Sequence, residues 1–203
     1  MSGAGWKTVE AIELLDTIGT DGFSSLVPRA SGLYLWRRRF KAPSAGHPSP
    51  ADLLQWISDL ADQPAAATGP RAVTHCVSLA DFRLGGGGLT DAKRDTLRQL
   101  SSSPKIRAYI CEYVEGLSDF SAPLYIGQTS NISKRVVQHL NGETGLLSYL
   151  ENRLGLGWDD LEFRYLVLSS RPDEQSRAGA ELNELLELIA QRLLSPFGTE
   201  RAG

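Results

Sequence analysis

Residues 124–139 read LYIGQTSNISKRVVQH. A short apolar run, Leu124 to Ile126, ends on Gly127, breaks into polar turn residues and restarts as a helix with Asn131 placed as its cap. Arg135 and His139 lie four residues apart on that helix, so both side chains share one face, with Lys134 beside them. The helix follows directly on the strand end, which brings its first turns next to Tyr125 and Gly127. Each residue type suits an anionic ligand. The planar fork of Arg135 can engage two phosphate oxygens and stays charged at any relevant pH. Gly127 lets backbone approach a ligand with no Cβ in the way. His139 titrates near neutrality, and can pass a proton or orient a tyrosine hydroxyl. The stretch reads as a strand–turn–helix suited to holding an anionic group such as a phosphate.

Working outward, the spacing of Trp6, Val9, Ile12 and Leu15 predicts an amphipathic helix over residues 6–18. Pro28 and Gly32 punctuate LVPRASGLYLWRRRFK, in which Leu33 to Phe40 read as a strand with a basic end. After the Pro/Ser/Gly-rich connection 41–50, Ser49 and Pro50 open a helix carrying Leu53, Leu54, Ile57 and Leu60. Alternation of Val73, His75, Val77 and Leu79 predicts a strand, and the glycines at 85–88 a flexible turn. Helices follow over 91–100, capped by Thr90, and over 104–117, capped by Ser103, with Ile106, Tyr109, Ile110, Tyr113, Val114 and Leu117 as the apolar stripe. A weaker helix covers 146–154, a strand 161–168, and a long helix about 173–194. Strands separated by helices make a mixed α+β domain.

The 203 residues suffice for one domain carrying a sizeable insertion, and the composition (41% hydrophobic, 22% charged) is that of a globular protein. A net charge of −3 argues against a protein that coats nucleic acid non-specifically, since such binding needs many Lys and Arg to displace counterions. It leaves room for a nucleic-acid enzyme with a local basic patch and a bound divalent cation. No apolar run approaches the roughly 18 residues of a membrane helix. The first residues, MSGAGWKTVE, lack the basic flank and apolar stretch of a secretory signal. The two cysteines, Cys76 and Cys111, form neither a CxxC nor a ligand cluster. A cytoplasmic protein with two reduced thiols is expected.

Gly32-Leu33-Tyr34 and Tyr125-Ile126-Gly127 resemble the two sequence elements that name the GIY-YIG nuclease family. In that family the second element runs into a short turn and a helix bearing an Arg and, four residues on, a His, Lys or Tyr; Arg135 and His139 occupy those positions. The lead-in LVPRASGLYLW is also similar. The resemblance implies a small, central, mostly antiparallel sheet flanked by helices, with Tyr34 opposite Tyr125, Arg135 and His139 as activator of the attacking water. It departs from the family in the stretch between the elements, about 90 residues where a short hairpin is usual. The expected organisation is therefore one GIY-YIG-like domain over 1–203 with a mainly helical insertion at 41–122.

The resemblance also implies a metal-binding Glu on the last helix, followed by a Pro and an Asn. Glu187 and Pro196 fit that spacing, and Thr199 stands where the Asn would be. Glu187 lies roughly 140° from the apolar stripe Leu182, Leu185, Leu186, Ile189 and Leu193 at about 100° per residue, so Glu184 and Glu181 stay open as alternatives. A hard cation such as Mg²⁺ or Mn²⁺ needs only one or two carboxylates beside water and phosphate oxygens. Arg37 and Arg39, at the basic end of the Tyr34 strand, are candidates for tracking a nucleic-acid backbone, with Gly127 and Lys134 as further substrate contacts. The implied activity is a metal-dependent endonuclease acting on DNA, of restriction or repair type, with RNA and a homodimer both open. The alternative is a binding module for nucleic acid or protein that keeps the fold without cleavage.

Overall fold

The computed structural model describes residues 5–62 and 89–167, together with Leu185 and Ile189, both helical. In chain order the elements are β1 (Lys7–Glu10), α1 (Ala11–Thr17), α2 (Asp21–Leu26), β2 (Gly32–Arg38), α3 (Pro50–Asp62), α4 (Asp91–Leu100), α5 (Pro104–Gly116), β3 (Tyr125–Thr129), α6 (Ile132–Leu140), α7 (Gly145–Tyr149) and β4 (Leu161–Val167). The chain divides into two compact units, Met1–Arg39 with Ser118–Gly203, and Phe40–Leu117. The expected strand at 73–79 and the glycines at 85–88 lie outside the described residues, as do Glu181, Glu184 and Glu187. Among the described residues no helix is long and apolar enough to cross a membrane.

The first unit is α+β, built on one four-stranded antiparallel sheet in the order β1-β4-β2-β3. Alternation sends Tyr34 and Trp36 of β2 to one face and Leu33, Leu35 and Arg37 to the other. Register carries this across the sheet. Tyr34 lies opposite Gly127 on β3 and Tyr165 on β4, and Trp36 opposite Tyr125 and Phe163. That aromatic face is continuous with the main core, where Ile132 and Val136 of α6, Leu14 of α1 and Leu150 are fully buried. The other face carries a small cluster of Leu35 and Ile126.

Residues 6–18 are not one helix. Lys7–Glu10 form β1, because Val9 pairs with Phe163 and its neighbours complete a ladder with β4; α1 begins only at Ala11. Helical spacing of Val9, Ile12 and Leu15 is real, but partner strand hydrogen bonds decide Lys7–Glu10. Trp6, expected on the helical stripe, is 42% exposed.

The second unit contains α3, α4 and α5, held by Ala42, Leu53 and Cys111 with Trp56, Ile57, Leu97 and Ile110 around them. Cys111 is a buried free thiol. Ser49 and Asp52 cap α3 reciprocally, Ser49 Oγ accepting from Asp52 N at 3.2 Å and Asp52 Oδ2 from Ser49 N at 3.3 Å. Thr90 caps α4 by accepting from Lys93 N. Ser103 makes no side-chain cap on α5, and Tyr109 and Tyr113 of its apolar stripe are exposed. Leu185 and Ile189, also expected on a buried stripe, are exposed as well.

Candidate active site

The β3–α6 joint is fixed by hydrogen bonds that its polar turn supplies. Thr129 Oγ1 accepts from Asn131 N at 3.1 Å, and Asn131 Oδ1 accepts from Lys134 N at 2.9 Å. The two amides ahead of Lys134 go to the lead-in of β2: Ile132 N donates to the Ala30 carbonyl at 3.0 Å and Ser133 N to the Pro28 carbonyl at 3.2 Å. The PRAS segment before Gly32 therefore anchors the start of α6 to the Tyr34 strand. All three leading amides are satisfied by the chain, so the helix end offers none of them to an anion.

Both motif glycines sit where a side chain cannot. A Cβ on Gly127 would lie 2.6 Å from Tyr34 Cζ and closer still to its hydroxyl oxygen. A Cβ on Gly32 would lie 3.2 Å from Ile132 Cγ1 and collide with the Leu166 carbonyl. Gly127 lets the Tyr34 ring lie across β3, and Gly32 lets α6 close on β2. The space at Gly127 is filled by the chain's own tyrosine.

Across that strand pair the side chains converge. Arg135 Nε donates to the Tyr34 hydroxyl at 3.2 Å, and His139 Nε2 lies 3.0 Å from the same oxygen. Arg135 Nη1 donates to Gln138 Oε1 at 3.2 Å. The ring of Tyr125 is 6.0 Å from that of Tyr34 and 5.4 Å from His139, edge-on to the latter. Trp36 closes the far side, 6.1 Å from His139. Tyr34 and His139 are sealed from solvent, at 1% and 0% exposure, while Tyr125 and Arg135 are half-buried and reach outward. Helical spacing brings Arg135 and His139 to one face, and strand register brings Tyr34 beneath them.

Burial sets the electrostatics. It pushes the Tyr34 phenol well above its ordinary value, with Tyr125 adding to the shift and the Arg135 guanidinium opposing it. His139 is driven down to about 3, first by burial and then by the charge of Arg135, so the ring is neutral at physiological pH. For Arg135 burial works against the charge, but the hydroxyls of Tyr34 and Tyr125 outweigh it and its pKa rises. A protonated phenol, a neutral imidazole and a firmly cationic guanidinium share one oxygen. That arrangement can move a proton between Tyr34 and His139 and offer positive charge to an anion beside them.

Other sequence candidates fall elsewhere. Lys134 is exposed on the first turn of α6. Arg37 is buried on the opposite face of the sheet, where its Nη2 donates to the carbonyls of Ser118, Asp119 and Ser121 at 2.5–2.7 Å. A guanidinium engaged this way holds its own loop, which corrects the expectation that Arg37 tracks a phosphate backbone. Arg39 is ion-paired with Glu10. Among the described residues no group of three or more His, Cys, Asp or Glu could hold a metal ion.

One contact of the cluster was not anticipated from sequence: His139 Nδ1 lies 2.7 Å from Thr144 Oγ1. Its signal was a threonine just past the end of α6, placed to cap the following LL pair; Thr144 Oγ1 indeed accepts from Leu146 N at 3.4 Å.

Comparison with protein-family models, with curated proteins and with solved structures returned no match to this chain.

Proposed function

We propose that the chain is a metal-dependent endonuclease of GIY-YIG type that hydrolyses phosphodiester bonds in DNA. The observation that carries this reading is the meeting of Arg135 Nε and His139 Nε2 on the Tyr34 hydroxyl, beside a glycine that only tolerates that tyrosine. A buried phenol flanked by a proton acceptor and a cation is arranged for base work at a phosphate and has little use in a core. Tyr34 takes a proton from an attacking water that the bound substrate brings to its hydroxyl, while its own proton moves to His139 Nε2. Arg135 stabilises the oxygen of Tyr34 during that transfer. Its half-exposed guanidinium also faces the scissile phosphate, where charge grows in the transition state. Tyr125 packs against both rings and holds their geometry.

A divalent cation, Mg²⁺ or Mn²⁺, would supply charge neutralisation at the phosphate. Its expected carboxylate is Glu187, with Glu184 or Glu181 in its place, all outside the described residues.

The test is incubation of the purified protein, beside an Arg135→Ala variant, with supercoiled plasmid and Mg²⁺ or Mn²⁺. Nicking or linearisation that disappears in the variant and with chelator supports the reading. Retained Arg135-dependent DNA binding without cleavage by the wild type would replace it with a binding module on the same fold. Cleavage of RNA alone would move the substrate class.

A further inference from the structure

The proton that leaves Tyr34 needs somewhere to go. His139 Nε2 is 3.0 Å away, but the ring is wholly buried and imidazolium is disfavoured there by burial and by Arg135. The other ring nitrogen, Nδ1, lies 2.7 Å from Thr144 Oγ1, and Thr144 is partly exposed. Tyr34, His139 and Thr144 thus form a continuous line from a sealed phenol to a residue that water can reach.

Hydrogen-bond accounting leaves two tautomers, and one of them runs Tyr34 to His139 to Thr144 as an unbroken chain of donors. Arg135 has donors and no acceptor, so the Tyr34 oxygen accepts from its Nε. The hydroxyl proton of Tyr34 then needs an acceptor of its own. A bare Nε2 provides one at 3.0 Å, provided the ring proton sits on Nδ1, where Thr144 accepts it. With the proton on Nε2, two donors would converge on the Tyr34 oxygen. Its own proton would be left to the hydroxyl of Tyr125.

We infer that Thr144 completes a proton relay beginning at Tyr34: its hydroxyl keeps His139 protonated on Nδ1 and bare on Nε2, and hands the proton on to solvent. In the step, the Tyr34 O–H bond breaks as Nε2–H forms. Nδ1–H breaks as a new O–H bond forms on Thr144, whose original hydroxyl proton passes to a neighbouring water. Tyr34 meanwhile receives the proton of the attacking water. The imidazole stays neutral throughout, which is how a ring so poor at holding charge serves as an acceptor. Thr144 touches no reacting atom of substrate; it is a positioning residue with a proton exit. Its use in turnover rests on the nuclease reading above, whereas the tautomer it imposes does not.

The experiment records imidazole ¹⁵N–¹H correlation spectra of the full chain without substrate, for wild type, Thr144→Ser and Thr144→Val. His139 is assigned by its absence in His139→Gln. Wild type and Thr144→Ser should show His139 protonated on Nδ1 alone, and Thr144→Val should lose that preference. A lost helix cap would lower the melting temperature of Thr144→Val without dictating the tautomer, so the two roles of Thr144 separate. A wild-type His139 protonated on Nε2, or a Thr144→Val spectrum identical to wild type, overturns the inference. In plasmid cleavage, Thr144→Val should lose about 100-fold in turnover at unchanged KM, within the range of proton-transfer catalysis, and Thr144→Ser should recover most of it. Equal rates for wild type and Thr144→Val would overturn the relay and leave the nuclease reading standing. If wild type cleaves nothing, the nuclease reading fails, and the spectra alone decide whether Thr144 sets the ring.

Discussion

Tyr34 and Leu35 are neighbours in β2, yet they look out on opposite faces of one sheet, and the two faces use arginine in opposite ways. On the Tyr34 face, Arg135 comes from a helix and donates at 3.2 Å to the Tyr34 hydroxyl and to Gln138 of its own helix. It remains part-exposed. On the Leu35 face, Arg37 comes from the sheet itself and is wrapped by three carbonyls, with Glu162 4.0 Å away. Arg164 beside it donates to Glu162 at 2.7 Å and pairs with Asp119. Arg37, Arg164 and Asp119 line a cleft of about 460 Å³ with Phe120 and Pro123, but its two arginines are answered by Asp119 and by Glu162 beside it. A cation surrounded by its own chain's acceptors fixes a loop. A cation left with an open side can meet a ligand. The lesson is that burial and sequence charge do not distinguish the two; the identity of the partners does.

The sharpest break in that comparison is Arg135→Ala. Losing one preorganised donor at a reacting group should lower cleavage on the order of 10²- to 10³-fold, while stability changes by about 1 kcal/mol or less. Plasmid cleavage and urea unfolding measured on the same preparation check both halves. On the proposed nuclease reading Arg135→Lys should not restore the rate, because an ammonium lacks the planar fork that would engage Tyr34 and a phosphate together.

Arg37→Met should show the reverse. Removing the guanidinium takes a shared donor from three carbonyls and a nearby cation from Glu162, a loss of about 3 kcal/mol by analogy with broken buried pairs. Cleavage per folded molecule should hold at a temperature where the variant remains folded. A stable Arg37→Met protein with crippled cleavage would dissolve the distinction between the two arginines.

Gly127→Ala probes the Tyr34 face from beneath. The added methyl meets the ring at 2.6 Å, so Tyr34 must tilt away from Arg135 and His139 or β3 must shift. A cost of about 2 kcal/mol is expected for such overpacking, accompanied by loss of activity. The same substitution with Tyr34→Phe should be milder in stability, since the closest atom, the hydroxyl oxygen, is then gone.

Much of this geometry was legible in the chain, for reasons that differ by element. The β3–α6 joint was readable because each local signal agrees: an apolar run, a glycine, an asparagine cap and an i, i+4 pair. Strand alternation already separates Tyr34 from Arg37, since odd and even positions of β2 must face apart. Applied to the Arg37-Arg38-Arg39 run, that parity would have withdrawn Arg37 from the substrate. β1 was hidden because Val9 takes its conformation from Phe163, more than a hundred residues away, and no local period reveals such a partner. α2 has only 6 residues, less than two turns, and leaves no periodic signature. Thr144 was hidden for a third reason. Its capping role shows in sequence, but its contact with His139 depends on how the turn after α6 folds back, which spacing does not encode.

The smallest effect concerns His139 alone and isolates what burial does on the Tyr34 face. The groups around it are Arg135 on its own helix, Tyr34 and Trp36 on β2, Tyr125 on β3 and Thr144 after the turn, and none of them is a carboxylate. In the folded chain the ring protonates only near pH 3, and in the unfolded chain near the ordinary 6.5. Between those values the unfolded state binds more protons, so stability rises with pH there. Above about pH 6.5 both states are neutral and the full stability is present. As pH falls through the window it drains away, by about 1 kcal/mol between roughly pH 6 and pH 5. His139→Gln removes this dependence, so wild type minus variant should give that slope, while carboxylate titrations common to both cancel. Urea unfolding at the two pH values measures it. A slope equal in the two proteins would mean that His139 charges freely in the fold, and the dry, neutral ring on which the Tyr34 face depends would not exist.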